Sequence, residues 1–127
     1  MKFQERIIDE TVFFAVQEER LDVSNVDVFK SGVVDFIYKG HDRFILDLTS
    51  VHFMDSRALG VLISIKKSLR EQGCFCILCP NKNVRNIFAI TRLDRVFHMF
   101  SSEQEALAEA ARVRAEERSA SKKENAQ

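Results

Sequence analysis

Short apolar runs alternate with segments of helical period along this chain, and that alternation constrains the fold more than any other feature. Phe44-Ile45-Leu46-Asp47-Leu48 and Cys74-Phe75-Cys76-Ile77-Leu78-Cys79 read as strands. Between them Leu59, Leu62, Ile63 and Leu69, widened by Val61 and Ile65, repeat at helical spacing, and Glu71-Gln72-Gly73 supplies a stop. A shorter helix follows at Val84, Ile87 and Phe88, then a strand at Val96-Phe97-His98. That order is the signature of an α/β sheet with crossover helices. With 127 residues, 46% of them hydrophobic, the chain is sized for one domain with a real core.

Upstream, strands are expected at Glu5 to Glu10 and Thr11 to Val16, the second rich in Val and Phe. A turn at Gln17-Glu18-Glu19-Arg20 leads to Leu21-Asp22-Val23. Ser24, with Asp27 three residues on, resembles a capping box for a helix whose apolar positions are Val26, Phe29, Val33, Phe36 and Ile37 and which ends near Lys39-Gly40. Downstream, Ser102 and Glu105 form another capping box and open an Ala-rich helix running to about Glu117. The domain thus spans residues 1–117, and the small, polar segment 118–127 is expected to be a disordered tail.

Several function classes are disfavoured on composition. Nineteen basic and nineteen acidic residues balance, so no bulk field steers the chain to nucleic acid or an anionic membrane. No apolar run approaches a membrane span and the N-terminus lacks the apolar core of a signal peptide, so a cytoplasmic location is expected. Strand alternation puts Cys74 and Cys76 on one face and Cys79 on the other, which suits buried thiols better than a metal site or a disulfide framework. His41, His52 and His98 are far apart and carry no assigned chemistry. A thiol enzyme using Cys79 beside Pro80 lacks a histidine spaced to activate it. No Gly-rich phosphate loop is present, and no cofactor is expected.

What remains is Asp55-Ser56-Arg57-Ala58-Leu59-Gly60, where the strand side (Val51, Phe53, Met54) hands over to the helix. Asp55 or Ser56 is the natural N-cap, because a short side-chain oxygen there accepts a bond from a free N–H of the first turn. The same free N–H groups and the positive end of the helix dipole suit a phosphate on Ser56. That phosphate would add about −1.5 to −2 charge, so a partner docked on this loop would face new repulsion or a new desolvation cost.

Ile45-Leu46-Asp47-Leu48, Val51, Phe53-Met54-Asp55-Ser56 and Leu59-Gly60-Val61-Leu62 resemble the signature of anti-sigma factor antagonists, the bacterial single-domain branch of the STAS fold. Leu21-Asp22-Val23-Ser24-Asn25, Gly73 with its strand, Val84-Arg85-Asn86-Ile87-Phe88 and Thr91-Arg92-Leu93-Asp94-Arg95-Val96-Phe97 agree in order, so the similarity spans Gln4 to Ala110. The resemblance implies a mixed sheet whose crossover helices pack mainly on one face, and a partner-switching module with no catalysis of its own. In that family the serine in the position of Ser56 is phosphorylated by an anti-sigma factor that is a serine kinase. A serine phosphatase reverses the modification, and the unmodified form binds the kinase and frees its client.

Asp22, Met54, Asp55, Ser56 and Arg57 are then the expected partner-facing residues, on a monomer or weak dimer. Of Phe53 and Met54, strand alternation turns one to the core and leaves the other for docking. Where the family commonly continues Asp-Ser-Ser-Gly, this chain has Arg57 and Ala58, so Ser56 is the only acceptor in the motif. Arg57 is open to two roles, pairing with a phosphate on Ser56 or hindering a kinase that expects a small residue. The rival reading is a non-switching scaffold or regulatory subunit in which Ser56 is only a helix cap.

Overall fold

The structure, a computed structural model, describes residues 1–70 and 73–112. The Glu71-Gln72 stop, the expected helix end near Glu117 and the tail at 118–127 lie outside the described residues. In chain order the elements are β1 (Phe3–Ile8), β2 (Thr11–Val16), β3 (Arg20–Leu21), α1 (Val26–Tyr38), β4 (Arg43–Asp47), β5 (Phe53–Met54) and α2 (Ser56–Ser68). There follow β6 (Cys74–Leu78), α3 (Lys82–Ile90), a 3-10 turn (Leu93–Arg95) and β7 (His98–Phe100). A last helix, α4, occupies residues 103–112.

Five strands form a mixed sheet in the order β1-β2-β4-β6-β7, antiparallel only between β1 and β2. Alternation along β2, β4 and β6 splits the apolar residues between two faces. Val12, Phe14, Val16, Phe44, Leu46, Phe75 and Ile77 meet Phe29 and Val33 of α1, Leu59, Leu62 and Ile65 of α2, and Val84 and Phe88 of α3. The opposite face, with Phe13, Ile45, Cys74, Cys76 and Leu78, is closed by Ala106 and Ala110 of α4. Three helices on one side and one on the other is the expected one-sided bias, and the helix expected to open at Ser102 is the one that covers the opposite face. Each fully buried Phe or Leu contributes roughly 1.5–3 kcal/mol.

Local chemistry explains where the elements stop. Gly40 takes φ 99 after α1, its N–H donating to the Ile37 carbonyl (3.0 Å) and that of His41 to the Phe36 carbonyl (3.0 Å). This paired closure needs a left-handed residue, which glycine adopts without strain. Gly32 permits close approach at the other side of α1: a Cβ there would lie 3.3 Å from the ring carbons of both Phe3 and Phe14.

Besides one-residue differences at β4 and β6, three boundaries differ from expectation for a local reason. The first strand runs Phe3–Ile8 and turns at Asp9-Glu10, both at positive φ (48° and 70°), rather than continuing to Glu10. Asp9 suits a left-handed turn position, but Glu10 stands where glycine is usual, so the hairpin carries only part of the usual sequence mark of its turn. The cap of α1 is Asn25 rather than Ser24, whose hydroxyl donates to Asp22, and Asn25 makes no side-chain cap bond because its amide is engaged with the Asp22 N–H and the Arg20 carbonyl. The last strand is His98–Phe100, displaced along the chain because Leu93–Arg95 form a 3-10 turn that carries the backbone past Val96.

Candidate functional site

Two very short strands, β3 and β5, pair in parallel away from the main sheet, with Arg20 opposite Phe53 and Leu21 opposite Met54. Parallel register brings the residues that follow them, Asp22 and Asp55, to the same end of this strand pair. The two carboxylates then take different tasks.

Asp55 is the N-cap of α2. Its Oδ1 accepts from the Ala58 N–H (2.9 Å) and its Oδ2 from the Val23 N–H (2.9 Å), so one side chain starts the helix and ties the preceding loop to it. Ser56 is therefore released from capping. It is the exposed first residue of α2, and no hydrogen bond among the described residues engages its hydroxyl.

Asp22 is 9% exposed. Its Oδ1 accepts from the Ser24 N–H (3.0 Å) and hydroxyl, its Oδ2 from Arg20 Nε (3.1 Å), and its carbonyl from the Val26 N–H (2.8 Å) at the start of α1. The Ser24 hydroxyl first, then Arg20, hold its carboxyl below the usual carboxylate range. Asn25 closes the loop, accepting from the Asp22 N–H and donating to the Arg20 carbonyl. Asp22 shapes the loop from beneath and is not presented as a surface contact.

Met54 needs the same correction. It is 4% exposed and belongs to the core, whereas Phe53 is 41% exposed, because Met54 follows the inward direction of its pairing partner Leu21. The Arg20 guanidinium lies 4.2 Å from the Phe53 ring centroid. Val23 is also exposed, and its N–H is tied to Asp55, the residue before Ser56.

Arg57 reaches across to α1, its Nη2 lying 3.0 and 3.2 Å from the two carboxylate oxygens of Asp27. Asp27, Lys30, Ser56, Arg57, Gly60 and Ser64 line a shallow groove of about 370 Å³ between the two helices. Ala58, in the position where the resemblance leads one to expect glycine, is fully buried.

The thiols stand elsewhere. Cys74 and Cys76 face each other (Sγ to Sγ 3.2 Å) beneath α4, and burial pushes the Cys79 thiol up. A protonated, enclosed thiol is a poor nucleophile. Among the described residues no group of three or more His, Cys, Asp or Glu side chains is placed to hold a metal, and no helix is long and apolar enough to cross a membrane.

Residues 2–106 match the STAS domain. The chain belongs to the STAS-domain anti-sigma factor antagonist family. A candidate anti-sigma factor antagonist of Thermotoga maritima is 34% identical to this STAS domain over 112 residues, covering 87% of this chain and 98% of its own. The crystal structure of a candidate antagonist from the same organism superposes with a TM-score of 0.78 at 32% identity, over 86% of this chain and 94% of the other. The Bacillus cell fate determinant SpoIIAA, in its phosphorylated form, shares the fold at 24% identity and a TM-score of 0.67, over 85% and 98% of the two chains.

Of the expected site residues, this STAS domain brings Asp55, Ser56 and Arg57 together near the surface and places Asp22 and Met54 underneath. Sequence reasoning missed Val23 as an exposed apolar residue and named Met54 rather than Phe53 among the partner-facing residues. The alternation rule offered Phe53 and Met54 equally, and only the pairing of Met54 with Leu21 decides between them. Asp27 and Lys30 were missed because their relation to Ser56 arises from the packing of α1 against α2, which no local pattern in the STAS domain records.

Proposed function

We propose that this regulatory, non-enzymatic protein is a partner-switching anti-sigma factor antagonist whose switch is Ser56. The unmodified form binds an anti-sigma factor serine kinase and so releases the sigma factor or other client. Phosphorylation of Ser56 abolishes that binding, and a serine phosphatase restores it. The observation that carries the reading is the division of labour at the start of α2: Asp55 alone makes the cap, leaving the Ser56 hydroxyl exposed and unengaged among the described residues. A serine serving as the cap would have its oxygen committed to the backbone, and the scaffold reading in which Ser56 is only a cap loses that basis.

Physical chemistry supports the direction of the switch. Val23 and Phe53 give the face around Ser56 exposed apolar area, which a partner covers favourably. A phosphate adds about −1.5 to −2 charge there, and docking must then strip water from it or meet like charge. The fold neighbour SpoIIAA exists in a phosphorylated form, which is a property of that protein.

Intact-mass measurement after incubation with the cognate anti-sigma kinase and ATP tests the acceptor. A single added phosphate, lost in Ser56→Ala, is expected. No added phosphate, or one that persists in Ser56→Ala, would overturn the assignment and favour the scaffold.

A further inference from the structure

We propose that Arg57 is the intramolecular receiver of a phosphate on Ser56: on modification its guanidinium leaves Asp27 and closes on the phosphate, with Lys30 as the second cation. The inference rests on Ser56 as acceptor and concerns what the modified site then does.

In the unmodified protein Arg57 is paired with Asp27 through Nη2, and both side chains are more than half exposed, at 54% and 66%. Such a pair contributes only ~0–1 kcal/mol. A phosphoserine one residue away offers up to two negative charges and three acceptor oxygens, and the forked guanidinium suits phosphate oxygens well. Between a singly charged carboxylate on a neighbouring helix and a more highly charged group on the adjacent residue, the phosphate is the stronger competitor.

The surroundings favour the exchange. Lys30 lies three residues beyond Asp27 on α1 and lines the same groove, as does Ser64. Room is available, because a Cβ built on Gly60 would meet nothing within 4 Å. The charged groups of this region are Asp27 and Lys30 from α1 and Asp55 and Arg57 from the start of α2. They balance formally, and Asp55 is occupied with the Val23 and Ala58 N–H groups. Among the described residues only Asp27 competes for Arg57. The exchange places the phosphate across the mouth of the groove and leaves Asp27 as an uncompensated carboxylate on α1. A single modification then alters the electrostatics of both helices beside the loop.

The test uses the full chain with phosphoserine installed at position 56 during translation, so that no kinase is needed. The phosphate is titrated by ³¹P NMR in wild type, Arg57→Gln, Arg57→Lys and Lys30→Gln. An exposed phosphoserine has its second pKa near about 6. The expected result is a wild-type value at least about half a unit lower than that of Arg57→Gln, since a nearby opposite charge favours the charged form. Arg57→Lys, which keeps the charge and loses the fork, is expected between them. Matching amide spectra of the unmodified proteins check that each variant folds.

Equal titrations in wild type and Arg57→Gln, or a shift that only Lys30→Gln removes, would overturn the proposal. Because the phosphate is installed without a kinase, failure of the kinase to modify Ser56 leaves this result standing. Conversely, a Ser56 that is a kinase substrate but titrates independently of Arg57 sinks only this inference.

Discussion

Asp55 accepts from two backbone N–H groups that belong to different segments, Val23 in the loop before α1 and Ala58 in the first turn of α2. Its neighbour Ser56 shows no such commitment among the described residues, and the two side chains therefore respond differently to truncation. Asp55→Ala is expected to lose about 1–2 kcal/mol of stability in urea unfolding, the upper part of the usual cost of a lost cap. Ser56→Ala is expected to stay within about 0.5 kcal/mol of wild type, as an exposed site without partners should. The reverse ranking would make Ser56 the cap. Sequence alone left Asp55 and Ser56 as alternatives, because both are good cap residues one position apart. What separates them is the Asp55 backbone, extended at φ −101 and ψ 178, while Ser56 has already entered the helix.

At the scale of elements, the β1–β2 hairpin joins Ile8 to Thr11 through Asp9 and Glu10, both held at positive φ. A left-handed conformation costs a residue with a Cβ roughly 1–2 kcal/mol, a cost glycine largely avoids. Glu10→Gly is expected to stabilise the protein by about 1 kcal/mol and raise its melting temperature. No change, or a loss, would mean that other interactions of Glu10 offset the backbone relief. The same pair shows why the hairpin was misplaced in the sequence. Without Asn-Gly or Asp-Gly, the strand pattern from Glu5 ran on to Glu10 with no stop. By contrast α2, β6 and α3 were legible from their apolar patterns, and in α2 cap and period also agree. Asn81, whose Oδ1 accepts from the N–H groups of Asn83 and Val84, starts α3 one turn ahead of its buried Phe88 and Val84 face.

Across the whole molecule, the sheet buries apolar residues on both faces, and the loop carrying Ser56 lies outside it after the separate pair β3–β5. That arrangement lets the loop present Val23, Phe53, Ser56 and Arg57 without drawing on the main core. The motif and the order of elements were readable in the chain because they are local. The proposed partner face was not, since it joins Val23, Asp27 and Lys30 to residues some thirty positions later through strand pairing and helix packing. A face assembled this way is tested as a whole by binding. The most direct measurement is capture of the cognate anti-sigma serine kinase by wild type, Ser56→Ala and Ser56→Asp in a pull-down. Ser56→Ala is predicted to bind whether or not ATP is supplied, and Ser56→Asp to fail to bind. Capture of the kinase by both variants to the same extent as wild type would contradict the switch.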